Sequence, residues 1–526
     1  MAWPRGFPNT NTHSRLTTMF SARKVLVTLA AGIFGVAVAL AARNATTLPT
    51  ITIPKHELPG RDGPTAVGRV AVGMSGCLAA ACHGAPAGKL LNGERGDDCW
   101  QSSGSCWAAA DPHTAAYSLL TENPRRTLKV TAAEIMAKYA PGTKATDNVR
   151  CLACHSNPTL ALPDLIPDAR SRVLREQGVS CEACHGNAGQ WLQPHTAWKG
   201  DRKDVYEKTG MRPLDDLGER ALACAGCHVG APAEKDSEGK VIVAVRDMNH
   251  DMIAAGHPRL AFDFAEYQRR LPQHWQEKNR SLTTNRAITH NEAKVWYVGR
   301  VAHAEAACRL LADRATRSAS DPVTPWPEFA EFNCASCHHN LRMPEGEKVG
   351  VGADWRRSDA YLGAEPEAKP PISGRPLGSP PWQTIWPVTF APGIEFPKRD
   401  KALLADVIRA METPRPPKAD NAGKVAKTTA EQLKTKREAL VLMSGPDVQR
   451  ESWALFPKGA PLVPEWDSAS QLFYGLVARE YSHGTPPKPI QDKYRAAVRA
   501  FRAQDWARPD ESWGRVKDAF DALREK

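Results

Sequence analysis

Apolar residues recur at helical spacing in several separate stretches of the chain. The segments Thr131 to Ala140 and Asp216 to Ala225 have this pattern, and a longer stretch, 291–314, has it too. In that longer stretch Gly299, His303 and Ala307 are four residues apart, so they share one face of the predicted helix. These stretches are short and separate, which favours a mainly α fold of short helices joined by loops.

The pattern becomes helical again towards the C-terminus. Asp400 is predicted to start a helix, and Thr428 with Glu431 forms the Thr-x-x-Glu pattern of a capping box before LKTKREALVLM. Later apolar residues such as Leu472 and Leu476 also have helical spacing. We interpret these stripes as ordinary core and predict no chemistry in residues 400–526.

An uncharged apolar run, residues 25–42, follows Arg23 and Lys24. A basic flank followed by an apolar stretch with small residues is typical of a secretory signal. The run is also long enough to cross a bilayer, so a cleaved signal peptide and a retained transmembrane anchor both remain open. In either case the positive flank stays inside and the rest of the chain is exported, which predicts a periplasmic location.

These patterns divide the 526 residues into segments. We predict a cytoplasmic segment 1–24, the signal or anchor 25–42, a linker 43–69, a large central domain 70–345, a Pro-rich linker 346–398 and a helical C-terminal region 399–526. The 42 Pro and 38 Gly residues are expected to interrupt long regular elements.

Most of the thirteen cysteines occur in pairs that are followed by histidine. Four segments read Cys-x-x-Cys-His: Cys151, Cys154 and His155; Cys181, Cys184 and His185; Cys224, Cys227 and His228; Cys334, Cys337 and His338. Two thiols at this spacing can form thioethers with the two vinyl groups of a haem, and the next residue can bind its iron. Zinc half-sites and redox dithiols also use Cys-x-x-Cys, but zinc does not need a histidine directly after each pair, and an exported dithiol would not be repeated four times.

A fifth site is wider, with four residues between Cys77 and Cys82 before His83. A bulged loop would still reach both vinyl groups, and the alternative is a disulfide. The sequence therefore predicts about five covalently bound haem c groups. Of the other cysteines, Cys99 and Cys106 are predicted to form a disulfide in an oxidising compartment, and Cys308 is predicted to be a buried thiol in a helix.

Each iron would need a sixth ligand to be saturated. His113, His195, His250 and His257 each follow an attachment motif within a short turn-rich stretch, so they are candidate distal ligands. His303, between small neighbours on its helix face, is the fifth candidate, ahead of His339. Iron with two histidine ligands relays electrons and does not bind a substrate, whereas an iron without a sixth ligand would be a candidate catalytic site.

The formal net charge of +11 does not indicate nucleic-acid binding, because no basic run is interleaved with aromatic residues. The excess positive charge is consistent with a solvated basic surface, or with basic residues that balance the negative charges of haem propionates.

The segments GVSCEACHG, AGHPRLAFDF, FNCASCHHNL and WAAADPHTAAYSLL resemble the cytochrome c-554 family of multihaem proteins over roughly residues 70–345. The resemblance implies short helices and loops packed around stacked haems, mostly with two histidine ligands, and His113, His195 and His257 as distal ligands. It also implies electron carriage, in the founding members away from hydroxylamine oxidation. The wide Cys77–Cys82 motif, the fifth haem, the N-terminal apolar segment and the C-terminal helical region depart from the tetrahaem pattern.

We therefore expect a periplasmic electron-transfer protein, tethered by residues 25–42 or released after cleavage. Its expected partners are redox proteins, either a quinol-oxidising donor in the membrane or a periplasmic oxidoreductase. The alternative is a haem enzyme, a reductase or oxidase of a small nitrogen or sulfur species at one open five-coordinate haem.

Overall fold

The computed structural model describes most of the region from residue 70 to residue 453 and a few residues beyond it. The described residues are 70–86, 101–122, 130–162, 169–197, 202–258, 260, 262–272, 291–320, 324–332, 341–342, 348–349, 398–412, 416–453, 474–478, 482, 492, 496 and 518. The predicted segments 1–24, 25–42 and 43–69 therefore lie outside the described residues. No helix within the described ranges is both long and apolar enough to cross a membrane.

The described chain is mainly helical, as the sequence predicts. The α-helices are α1 (Ser103–Ala110), α2 (Ala132–Tyr139), α3 (Val149–His155), α4 (Ala169–Glu176), α5 (Cys181–His185), α6 (Leu192–His195), α7 (Lys203–Thr209), α8 (Leu217–His228), α9 (His250–Ala255), α10 (Phe264–Arg270), α11 (Asn291–Ser320), α12 (Lys398–Glu412), α13 (Ala419–Leu442) and α14 (Gly445–Trp453). Short 3-10 helices are Met74–Gly76, Pro112–Ala115, Tyr117–Leu120, Ala145–Asp147, Pro158–Leu160 and Phe329–Glu331.

Two small antiparallel sheets join these helices. One pairs β1 (Glu234–Lys235) with β2 (Val241–Val243), and Glu234 lies opposite Val243. The other pairs β3 (Leu341–Arg342) with β4 (Lys348–Val349).

Side-chain caps explain where several short helices begin. Thr131 and Glu134 form a capping box at the start of α2, which confirms the helix predicted from Thr131 to Ala140. The Asp216 carboxylate accepts the backbone N–H groups of Gly218 and Glu219 and so starts α8. This helix confirms the second prediction and continues beyond it, to His228.

The largest apolar core forms around α11, which confirms the helix predicted in stretch 291–314 and extends it to Ser320. Its buried Trp296, Tyr297 and Leu311 share this core with Leu404 of α12 and Leu440 of α13. Cys308 of α11 is a buried free thiol, as predicted. The long helix is thus the central packing element of the described chain.

The predicted capping box at Thr428 and Glu431 is wrong, because α13 begins nine residues earlier at Ala419. Thr428 lies inside the helix, and its hydroxyl donates to the carbonyl of Lys424 at 3.1 Å. Buried alanines on one face of α13 allow it to continue unbroken against α11. A Cβ added to Gly423 would come within 2.9 Å of the Ala315 Cβ, so the two helices approach closely. The helix predicted to start at Asp400 begins at Lys398.

Polar contacts also connect the C-terminal helices to the region that carries the haem motifs. The buried Arg437 of α13 donates to Glu305 of α11 at 2.8 Å and pairs with Glu219 of α8 at 3.1 Å. The ammonium of Lys294 donates to the carbonyls of Val441 and Met443 at the end of α13. Helices α11 and α13 therefore form one packed unit.

Candidate haem-binding sites

Three of the Cys-x-x-Cys-His motifs form helical turns. The motif of Cys151 ends α3, that of Cys181 forms the whole of α5, and that of Cys224 ends α8. In a helix the first cysteine, the second cysteine and the histidine all lie on one face, since residues three and four apart are neighbours. Cys334, Cys337, His338 and His339 lie outside the described residues.

The wider motif forms a compact loop after the 3-10 helix Met74–Gly76. The backbone N–H of Cys82 donates to Ala79 at 2.8 Å, and that of His83 donates to Cys77 at 3.2 Å. The extra residues are thus taken up by a turn, and His83 closes back on the start of the motif.

Each of three motif histidines faces a histidine from elsewhere in the chain. The ring centroids of His83 and His195 are 6.3 Å apart, with 15° between their planes. Those of His113 and His228 are 6.1 Å apart at 68°. Those of His155 and His257 are 6.3 Å apart at 81°. The structure thus brings three predicted distal histidines opposite three predicted proximal ones.

These separations fit two axial imidazoles on one metal ion. An imidazole nitrogen binds a first-row metal at about 2.0–2.1 Å, and it lies about 1.1 Å from its ring centroid because ring bonds are about 1.3 Å long. Two imidazoles on opposite sides of one iron would then have centroids about 6.3 Å apart, whereas a tetrahedral zinc ion would bring them to about 5.2 Å. The observed centroid distances match the value for two imidazoles on opposite sides of one iron and are longer than the value for tetrahedral zinc.

Hydrogen bonds engage the ring nitrogen Nδ1 in five of these six histidines. The Nδ1–H groups of His155, His195 and His257 point to backbone carbonyls, those of Ala116 at 2.8 Å, Leu192 at 2.5 Å and Pro258 at 2.8 Å. His83 Nδ1 lies 3.0 Å from the Ser103 hydroxyl, and His113 Nδ1 lies 2.8 Å from the Asp111 carboxylate. Metal-binding histidines characteristically donate their second nitrogen in this way, which fixes the tautomer and the ring orientation.

Burial favours the neutral imidazole, which is the form that binds a metal. It lowers the pKa of His228 to about 4, with a further contribution from His113. Burial also lowers the pKa of His155 and that of His257.

The motif cysteines among the described residues are free thiols, as covalent attachment to haem requires. Thiols of different motifs perturb one another: the Cys181 thiol lowers the pKa of Cys77, and the Cys154 thiol lowers the pKa of Cys227. Attachment sites that are far apart in the sequence are therefore adjacent in the fold. Cys99 lies outside the described residues, so its disulfide with Cys106 stays a prediction.

His250 and His303 remain predicted ligands. His250 begins α9, where its backbone N–H donates to Glu328 at 2.8 Å and its ring lies 5.7 Å from that of Phe329. His303 is buried on α11, and its ring centroid is 5.8 Å from that of Phe262. The Phe262 ring in turn stacks on His228 at 5.4 Å.

Sequence reasoning missed the side chains that orient the motifs. Glu182, between the cysteines of α5, is buried and accepts backbone N–H groups from Val72 at 2.8 Å, Gly73 at 2.7 Å and Ala188 at 2.6 Å. Asp111 and Ser103 were missed as partners of ring nitrogens. A charged residue inside Cys-x-x-Cys and an aspartate two residues before a candidate ligand were the available signals.

These histidine pairs and motif helices are the features expected of a c-type cytochrome. The family model described as cytochrome c554 and c-prime matches residues 96–186, a minor part of the chain that includes His113 and the motifs of Cys151 and Cys181. The chain thus resembles the cytochrome c554 family, as its sequence motifs indicate. No curated protein and no solved structure gives a match to the chain.

Proposed function

We propose that this protein is a periplasmic multihaem electron carrier with about five covalently attached haems, most of them held by two histidines. The match to the cytochrome c554 family supports a haem-based electron-transfer role and covalently bound haem c. The observation that carries the proposal is the 6.1–6.3 Å spacing of the three histidine pairs.

Haem iron supplies reversible one-electron chemistry when it is bound. Four haems would be anchored by the cysteines at positions 77, 82, 151, 154, 181, 184, 224 and 227. A fifth haem would be anchored by Cys334 and Cys337. His83 with His195, His228 with His113, and His155 with His257 would each hold one haem iron, and an iron saturated by two histidines would have no place for a substrate. Sites of this kind relay electrons.

The mutual effects of the thiols suggest an order for this relay. The Cys181 thiol lowers the pKa of Cys77, so the sites of His83 and His185 would be neighbours. The Cys154 thiol lowers the pKa of Cys227, so the sites of His155 and His228 would be neighbours as well. Burial and, to a smaller extent, the Cys227 thiol raise the pKa of Cys184, which would join the two pairs. We propose the order His83, His185, His228, His155.

We further propose that the relay connects a quinol-oxidising donor in the membrane, or a periplasmic oxidoreductase, to another redox protein. The apolar run 25–42 supports export and, if it is retained, attachment to the membrane. His250 and His303 are the proposed distal ligands of the other haems.

The test uses the full-length haem-loaded protein in repeated cycles of reduction by dithionite and oxidation by a small soluble oxidant. Optical spectra are recorded with and without nitrite, nitric oxide and hydroxylamine. An electron carrier cycles fully, and its spectra do not change when these ligands are added. Multiple turnovers of any of them would overturn the proposal in favour of a haem enzyme with an open iron.

A further inference from the structure

The axial histidines differ in what their second ring nitrogen contacts. His155, His195 and His257 bond to neutral backbone carbonyls, and His83 bonds to the Ser103 hydroxyl. His113 differs from these residues in the contacts that the structure describes, because its Nδ1 atom lies 2.8 Å from the carboxylate oxygen Oδ1 of Asp111. The site of His113 and His228 therefore has a carboxylate directly bonded to the second ring nitrogen of one histidine.

The Asp111 carboxylate is held firmly in this position. It is 6% exposed, and its Oδ1 atom also accepts the backbone N–H of His113 at 2.9 Å, which caps the 3-10 helix Pro112–Ala115. The Thr114 hydroxyl donates to the Asp111 carbonyl at 2.9 Å. Because an ionised carboxylate only accepts hydrogen bonds, the His113 ring must donate from Nδ1, which leaves Nε2 for the iron.

We propose that Asp111 gives His113 imidazolate character and thereby makes an iron held between His113 and His228 harder to reduce than it would be without this carboxylate. A carboxylate that draws the Nδ1 proton raises the basicity of the ligand, and a more basic ligand stabilises ferric over ferrous iron. Burial strengthens this effect, because the charge is poorly screened. This inference rests on the proposed function, since it requires that His113 and His228 bind one iron.

The experiment compares the reduction potentials of single haems in the full-length haem-loaded protein and in Asp111→Asn. Asparagine keeps an oxygen that can cap the 3-10 helix and accept from Nδ1, but it removes the charge. Redox titration followed by EPR is expected to show one low-spin signal with altered g-values. The equilibrium constant for reduction of the haem that gives this signal should rise at least tenfold, which corresponds to a rise of about 59 mV in its one-electron reduction potential.

Ser103→Ala is the matched control, because it removes a neutral partner from His83. Its effect should be smaller and should fall on a different haem signal, that of His83 and His195. Asp111→Ser, which keeps a helix-capping hydroxyl, provides a second neutral variant if Asp111→Asn does not accumulate with haem. The same shift is expected from it.

Titrations of the Asp111 variants that superimpose on wild type, with unchanged g-values, would overturn the inference. A shift equal to that of Ser103→Ala would overturn it as well, because a charge-specific effect would then be absent. If the proposed function is wrong, the result is distinguishable from these, because the wild-type protein itself would lack low-spin haem signals.

Discussion

Removing the Asp247 carboxylate should destabilise the fold by several kcal/mol. This buried carboxylate accepts from Arg314 at 2.5 Å and from Arg317 at 2.6 Å, and so fixes the segment before α9 to α11. Arg314 also pairs with Glu331. Asp247→Asn would leave both guanidinium groups without this anion in a poorly solvated site.

The magnitude follows from the pKa of Asp247. Burial acts to raise it, but Arg314 and Arg317 outweigh burial and lower it from 3.8 to about 2. At about 1.4 kcal/mol per pKa unit, this difference corresponds to about 2.5 kcal/mol. Breaking a buried pair by removing one partner costs about 3–5 kcal/mol, so we expect Asp247→Asn to lose about 2–4 kcal/mol at pH 7.

The pH dependence has a definite sign. Because the folded pKa lies below the unfolded one, the charged pair stabilises the fold above about pH 4, and this contribution is lost as the pH falls towards about 2. The difference in unfolding free energy between wild type and Asp247→Asn should therefore narrow below pH 4.

Guanidinium chloride unfolding followed by far-UV circular dichroism measures these differences in the haem-loaded protein. Asp313→Asn is the control, because Asp313 also accepts from Arg317, at 2.7 Å, but is less buried. Its expected cost is about 0.5 kcal/mol. An equal or smaller loss for Asp247→Asn than for Asp313→Asn would refute this account of the cluster.

Three further changes test other parts of the structure. Glu182→Gln should lower the free energy of unfolding by about 2 kcal/mol in denaturant titrations, since a neutral amide cannot replace a carboxylate that accepts three backbone N–H groups. An unchanged free energy of unfolding would contradict the anchoring role of Glu182. Thr131→Ala should cost about 1 kcal/mol in the same assay by removing the cap of α2, and an unchanged midpoint would argue against it. Cys82→Ala should leave a haem with one thioether at the wide motif, which shifts part of the pyridine haemochrome band to the red; an unshifted band would mean that Cys82 is not an attachment point.

The sequence predicts the local parts of the fold because their causes are local. The capping box at Thr131 and the aspartate cap at Asp216 are visible in a few consecutive residues, and both helices form as predicted. Thr428 and Glu431 have the same local pattern, yet they lie within α13. There the buried alanines that pack on α11 outweigh the capping signal, and that packing is a tertiary effect.

The candidate ligands could be selected from the sequence, but their pairing could not. His113, His195 and His257 follow motifs along the chain, whereas each faces a motif histidine about a hundred residues away. Such pairing depends on how the helices pack, which no short segment encodes. The role of Glu182 was hidden for the same reason, because its partners Val72 and Gly73 lie about a hundred residues away in the chain. The partner of Asp111 is only two residues away, so this contact could have been inferred from the sequence.

The most direct test of the central claim is low-temperature EPR of the ferric haem-loaded protein, compared with His195→Ala. When the two imidazole planes are nearly parallel, the two iron orbitals that interact with them differ in energy, and the low-spin spectrum is rhombic. When the planes are nearly perpendicular, these orbitals stay close in energy, and the spectrum is strongly anisotropic. The pair His83 and His195, at 15°, should give a rhombic signal, and the pairs at 68° and 81° should give strongly anisotropic signals. We predict that His195→Ala removes the rhombic signal of this pair, produces a high-spin one and leaves the anisotropic signals in place. An unchanged set of low-spin signals in His195→Ala would contradict the ligand pairing on which the account rests.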